Sequence, residues 1–370
     1  MNNFKFKKAK NSPTDLSFSE KNSTVKRFFS KRANTLIFAL FLVIVLSLVF
    51  FYCLSTIKPS FRADSIFYRN LPSSLIQIKT EVFTDYSQAR SIAQLSNLDE
   101  SKIQPRDGSF VLTYNAFNAL YKSLKTQGIE AETFTFWGTD SLANDHFVYF
   151  VISLMQTFLA FVFAVILSSV FGIFLAFYVQ NNKLAFGITK NLFLSLVSIP
   201  SLILSIIFFN IFGYSTVKFA LFIFIIFTVQ QYLLAQNIIQ NMKQKEYYLS
   251  ALASGYSRFE VLKYIVFKRV WIELLLLYGD LFILSVVITA TSKYFDVKGV
   301  ENSYNLGSVF RNVIENKNNT IFLLGVMFYI TAICLLFQLL SNNLSFAFKP
   351  YLKRENENKK GIINFSFRAR

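Results

Sequence analysis

Six long stretches of mostly apolar residues run through this chain of 370 residues, and no other feature restricts its fold as severely. Crossing roughly 30 Å of hydrocarbon takes about 20 such residues in a helix. Lipid offers no hydrogen-bond partners, so each crossing must satisfy its own backbone, as a helix does. The stretches are Thr35–Ile57, one within Phe147–Val179, one within Leu184–Phe212, Val217 to about Gln236, Val270–Ala290, and Ile321 to about Asn343. The second and third windows exceed what a crossing needs, which predicts tilt or an interfacial extension. Charged residues make up only 16% of the chain, where a soluble domain carries about 25%. A disordered chain, a disulfide scaffold and an ordinary cytosolic enzyme are excluded. The expected fold class is an all-α polytopic membrane protein: six transmembrane helices, with a small α+β extracytoplasmic domain between the first and second.

The first stretch follows a 34-residue polar lead, and no small-x-small site comes after Ile57. It reads as an uncleaved anchor rather than a signal peptide. Cys53 and Cys334 both fall inside spans, where they read as small packing residues. A single histidine, His146, sits at the outer edge of the second span, and no metal or catalytic site is expected there.

Six crossings put both termini on one side. Segments 1–34, 180–183, 237–269 and 344–370 then share a face and carry 23 Lys/Arg against 6 Asp/Glu. The opposite segments, 58–146, 213–216 and 291–320, carry 13 of each. The whole excess of +17 lies on one face, and basic loops stay inside. Both termini are therefore expected in the cytoplasm, with the chain in the cell (plasma) membrane. The organisation expected is a basic lead 1–34, an anchor 35–57, an extracytoplasmic domain 58–146, a five-helix core 147–343 and a basic tail 344–370. In the outer domain, Val82, Phe110, Leu112, Tyr114 and Phe134 sit in strand-like stretches. Asn118–Thr126 reads as a short helix, and Pro105, Arg106, Asp107 and Gly108 as a turn.

The loop 237–269 has a helical pattern of its own. Tyr248, Leu252, Gly255, Phe259 and Leu262 recur every three or four residues and would line one face. Gly255 suits the left-handed stop of a helix. Ser257-Arg258-Phe259-Glu260 follows as a capping box, hydroxyl to the Glu260 amide and carboxylate back to the Ser257 amide. The loop therefore reads as helix, glycine turn and capped second helix over about 241–262. It could lay an apolar face into a partner's groove or lie on lipid.

Leu249-Ser250-Ala251, three residues, Gly255, nine residues and Ile265 resemble the cytoplasmic loop of permease subunits of binding-protein-dependent ABC importers. Ala251, Gly255 and Ile265 match that pattern in register. Leu249 and Ser250 stand where the family has Glu and Ala, and Phe267-Lys268 where it has Leu-Pro. The resemblance covers about 147–340. Within it, Ser195 to Leu204, including Ser198, Pro200 and Ser201, and Ser153 to Thr157 are similar to phosphonate-type permeases. The resemblance implies a permease with no catalytic residues, no metal and no cofactor of its own, ATP being held by partner ATPase subunits. Tyr248, Leu249, Ala251, Leu252, Gly255, Ser257, Glu260 and Ile265 would meet those subunits. It also implies an extracytoplasmic substrate-binding lipoprotein and a permease homodimer or heterodimer. The implied substrate is a phosphonate, phosphate ester or related oxyanion. Phosphate, a thiamine-like compound or an amino acid is the alternative.

Physical readings of single residues run beside this. Pro200 removes one helical donor and disturbs the carbonyl of Leu196, and Ser195, Ser198 and Ser201 could satisfy the freed groups. The segment is either a packing kink or a polar gate. Asp280 is the one acid deep in a span, where a carboxylate costs at least roughly 2.5 kcal/mol, so it should meet a partner or a watery pathway. No G-x-x-x-x-G-K-[ST] phosphate loop occurs, so if transport is driven by ATP the nucleotide must sit on another subunit. An ion-driven secondary transporter would show inverted repeats and several intramembrane charges. A membrane serine protease would pair its nucleophile with a His or Lys inside the bundle. The sequence offers neither, and no aromatic-basic platform for nucleic acid.

Overall fold

The computed structural model describes residues 27–55, 68–106, 108–126, 128, 134–300, 303–316 and 319–348. The basic lead through Lys26, the tail from Lys349 and Asp107 of the expected turn lie outside them. The elements in chain order are α1 (Arg32–Ser55), β1 (Ile78–Phe83), α2 (Tyr86–Leu95), β2 (Gln104–Arg106), β3 (Ser109–Asn115) and α3 (Ala116–Thr126). There follow α4 (His146–Val179), α5 (Lys183–Ser198), α6 (Ser201–Phe212), α7 (Thr216–Lys243) and α8 (Glu246–Ala253). The last three are α9 (Arg258–Tyr294), α10 (Leu306–Glu315) and α11 (Thr320–Phe348).

Five of these, α1, α4, α7, α9 and α11, are long and apolar enough to cross a membrane. The expected third span is not one straight helix: α5 and α6 meet at 91°. The cause is local. Proline lacks an amide hydrogen and biases the residue before it to extended backbone, and Ile199 is extended at φ −85°, ψ 126°. Two contacts decide whether this bent pair crosses. Thr216 Oγ1 donates to Gln156 Oε1 at 3.0 Å, and Gln180 Nε2 donates to the Gln236 carbonyl at 3.0 Å. α7 thus runs antiparallel to α4 along its length. The chain leaves the far end of α4 and re-enters α7 beside the near end, so α5 and α6 together carry it across. Counted as one broken span, the pair brings the crossings among the described residues from five to six. α1 brings Phe51 to Phe147 at the end of the bundle nearest the strands, termed the outer end, while Ser345 Oγ of α11 donates to the Ile272 carbonyl at the opposite end, termed the inner end. α1 therefore begins, and α11 ends, on the same face.

The bundle core is aromatic. Phe150, Phe161, Phe227, Phe282 and Phe322 are all buried in one cluster with Leu154 and Ile333. Most of their pairs meet edge to face, as Phe161 does with Phe282 at 5.1 Å, an arrangement that suits the ring quadrupole. Flat rings also let helices rich in Phe interlock without polar glue.

Outside the bundle, β1, β3 and β2 form an antiparallel sheet in that spatial order. α2 and α3 cover one face with Ala89, Ala93 and Leu120 against Phe83, Leu112 and Tyr114. α3 begins at Ala116, two residues ahead of the expected Asn118. Asn115 Oδ1 accepts from the amides of Phe117 and Asn118 and so starts the helix itself. Phe134 is not in a strand; it lies in irregular chain, 68% exposed. This domain is fastened to the bundle by Trp137, which is buried among Phe147, Phe150 and Phe322. Asn319 Nδ2 holds the Trp137 carbonyl at 2.7 Å. His146 stacks on Phe322 at 4.1 Å and so packs against α11.

Candidate functional site

The inner loop begins where α7 runs out at Lys243. α8 carries Glu246 in its first turn, which offsets the exposed amides there. It ends at a left-handed glycine: Gly255 has φ +84°. The Gly255 amide donates to the Leu252 carbonyl at 3.1 Å and the Tyr256 amide to the Ala251 carbonyl at 3.2 Å. That pair of bonds is the Schellman closure of a helix. The capping box follows as read from the sequence. The Ser257 amide donates to Glu260 Oε2 at 2.7 Å, and the Glu260 amide to Ser257 Oγ at 3.3 Å.

The second helix of the loop is not a separate element. Arg258–Glu260 is the first turn of α9, and Val261–Val266 continues it as a π-helical segment before regular α-helix resumes at Phe267. No residue pattern in the sequence marks this π segment. Such segments place one extra residue in a turn and are frequent at functional sites.

The expected single apolar face is divided. Tyr248 and Leu262 are buried, whereas Leu252 is 45% and Phe259 59% exposed. The reason is the left-handed residue between them: Gly255 reverses the chain, so helical spacing does not carry across it. Tyr248 and Leu262 point into a cluster with Ala176 and Phe177 of α4, Ile239 and Met242 of α7, and Val266 and Val270 of α9. Leu249 and Leu252, with Tyr256 and Phe259, point away from it and are exposed. Ala251 is half-buried. Ile265 is half-buried and lines a small cleft with Met242, Lys245, Tyr247 and Arg269. The loop is thus seated on the inner ends of three crossing helices and shows solvent a separate set of apolar side chains. Gln180, the C-cap residue of α4, links α4 to α7 further by donating to the Gln236 carbonyl.

The broken span is the second feature. Ser198 Oγ donates to the Leu194 carbonyl and Ser195 Oγ to that of Asn191, both at 2.9 Å. These bonds lie one turn inside α5. The serines do not serve the groups freed by Pro200, because the Leu196 carbonyl is taken by the Ile199 amide at 3.3 Å. Pro200 and Ser201 line a cavity of about 210 Å³ with Leu196, Leu204, Val229 and Gln230. Asp280 is not among its lining residues. It lies on the seam between α9 and α11, where Gln338 Nε2 donates to its Oδ1 at 2.9 Å, and it faces outward from the chain. Gly279 permits that seam, since a Cβ there would stand 2.9 Å from the Gln338 Cα.

Polar residues that the sequence reading passed over lie in the inner half of α7. Gln231, Tyr232 and Gln236 are buried, and their side-chain polar atoms have no partner among the described residues. A Gln-Gln-Tyr run closing an apolar stretch was the available signal.

Residues 168–350 match the family described as "Binding-protein-dependent transport system inner membrane component". No curated protein matches the chain at a significant level. The matched segment begins inside α4 and takes in the broken span, the inner loop and both later crossings. α1 and the outer domain precede it.

Proposed function

We propose that this chain is the permease subunit of an ATP-driven, binding-protein-dependent importer, and that α8 with its glycine turn is the lever on which separate ATPase subunits act. The observation that carries the reading is the seating of the loop. Tyr248 and Leu262 tie it to the inner ends of α4, α7 and α9, within the segment matched to the transport family. A push on α8 therefore reaches three crossing helices through packed side chains. The outward set, Leu249, Leu252, Tyr256 and Phe259, is what an ATPase groove would receive. Its surroundings, Lys245, Arg258 and Lys263, favour an acidic rim on that groove.

The face that carries α8 is the cytoplasmic one on this reading, since the basic excess lies there. Nucleotide then biases a pathway between outward and inward openings. Two permease chains, alike or sister, enclose it. Pro200 and its 210 Å³ cavity form the gate, and Asp280 faces the second chain or the pathway. A secreted binding protein delivers the solute. The likeness of Ser195–Leu204 to phosphonate-type permeases supports a phosphonate, phosphate ester or related oxyanion, and selection then rests with the binding protein. The chain itself binds no cofactor and hydrolyses nothing.

Purification in mild detergent tests this. An ATPase subunit should accompany the chain, and substitution of both Leu249 and Leu252 by Asp should release it while the chain still inserts. Solute uptake by proteoliposomes that contain this chain and no ATPase would overturn the reading.

A further inference from the structure

β1 is an edge strand, and among the described residues no strand pairs with its outer side. The hydrogen-bonding phase of that edge is fixed. The Ala116 amide donates to the Gln77 carbonyl at 3.0 Å, one step beyond the pair Ile78–Asn115. Bonding alternates along an antiparallel ladder, so Lys79, Glu81 and Phe83 face β3 with their backbone groups, and Ile78, Thr80 and Val82 turn theirs outward. The Ile78 amide is taken by the Ile76 carbonyl. The outward amides of Thr80 and Val82 and the outward carbonyls of Ile78, Thr80 and Val82 remain.

The side chains have a matching symmetry about Thr80. Ile78 and Val82 lie on the uncovered face of the sheet, 57% and 62% exposed. Lys79 and Glu81 lie on the other face, 3.2 Å apart as an ion pair. Read outward from Thr80, one side is cation then aliphatic, and the other is anion then aliphatic.

We propose that this edge pairs with the same edge of a second copy of the chain, antiparallel and centred on Thr80, so that two three-stranded sheets become one of six strands. In that register Thr80 faces Thr80, Ile78 faces Val82 and Lys79 faces Glu81. Four backbone bonds form: Thr80 amide to Thr80 carbonyl and Val82 amide to Ile78 carbonyl, each twice. The charges also exclude the neighbouring registers. A slip of two residues sets Lys79 against Lys79 in one direction and Glu81 against Glu81 in the other, and like charges directly opposite are unfavourable. A slip of one residue opposes outward backbone groups to inward ones. The pair of charges that would guard an ordinary edge against association here leaves one register open. This contact goes beyond the importer reading and stands without it, since it joins two copies outside the membrane and needs no ATPase.

The test uses the full-length chain in native membranes, with Cys53 and Cys334 replaced by Ala. Thr80→Cys should form a disulfide-linked dimer on mild oxidation. Ile78→Cys and Val82→Cys should each remain monomeric alone and link when the two variants are produced together. Lys79→Glu or Glu81→Lys should lower the Thr80→Cys yield by about fivefold or more, and the double reversal should restore it. Equal linking at all three positions, or a double reversal no better than the single ones, overturns the proposal. So does an absence of Thr80→Cys linking in a variant whose melting temperature matches the parent.

Discussion

At the scale of single residues the inner loop depends on one backbone angle. Gly255 sits at φ +84° with open space where a side chain would project. Any loss on substitution therefore comes from the left-handed conformation, about 1–2 kcal/mol for most residues, and not from collision. Asparagine tolerates that region better than alanine, and a β-branched residue tolerates it least. Coupled uptake should fall in the order Gly255, Asn, Ala, Val, with membrane insertion unchanged; equal uptake by the valine variant would remove the turn from the mechanism. Asp145 gives a pH-dependent case outside the spans. Its carboxylate accepts from the amides of Phe147 and Val148, capping α4. Burial outweighs those bonds and pushes its pKa from 3.8 up to about 6. The folded state thus holds the proton more tightly than the unfolded one. The stabilisation this supplies is full below pH 3.8 and is lost as pH rises through about 6. Asp145→Asn keeps a capping oxygen and removes the charge. Melting curves from pH 4 to 8 should show the variant gaining on the parent as pH rises, by at most roughly 3 kcal/mol. A constant difference between the two would refute the buried charge.

At the scale of elements, the crossings were legible because about 20 apolar residues leave a chain few options in water or lipid. The capping box and the glycine stop were legible for a related reason: each is a local bond pattern between near neighbours. The break at Pro200 was half legible. Proline announces a disturbed helix, but its 91° bend depends on what packs beside α5 and α6. The face assigned to Tyr248, Leu252 and Phe259 failed because periodicity presumes one helix, and Gly255 ends one. The π segment Val261–Val266 had no signature at all, since its extra residue is defined only by the contacts of the turns on either side. That segment can be tested directly. Lys263 is exposed within it, so deleting it should restore regular i→i+4 bonding through 261–266 at little cost in melting temperature. Because the π turn already absorbs that extra residue, the deletion leaves the capping box and α8 in nearly their present phase about α9, and uptake should be retained. Loss of uptake in a chain that still folds would mean that the π turn itself is needed, and not only the phase it preserves.

At the scale of the molecule, the question is whether the outer domain moves with the bundle. The joint is narrow and specific. Trp137 is 4% exposed, and it lies so close to α11 that a Cβ on Gly325 would stand 2.6 Å from its Cζ2. Gly138 beside it has φ +83° and lets the chain pass the Leu71 and Pro72 backbone. Asn319 and His146 bind the same corner, at the head of α11 and of α4. A shift of either helix therefore carries the sheet with it. None of this was readable from the sequence, where Trp137 is an aromatic residue in a polar segment and Gly325 one of 12 glycines. The chain has only 2 tryptophans, the other being Trp271 near the inner end of α9. Trp271→Phe leaves Trp137 as the sole indole reporter of the joint. Its emission should be blue-shifted, as for a ring in an apolar contact. Adding Gly325→Val displaces the ring, so emission should move to the red, and proteolysis within 68–145 should become faster while the bundle stays intact. Trp137→Ala should loosen the same joint, at about 3–5 kcal/mol for a buried aromatic truncation. If Gly325→Val leaves both emission and proteolysis unchanged, the domain is held elsewhere and cannot report the position of α4 and α11 to anything bound outside.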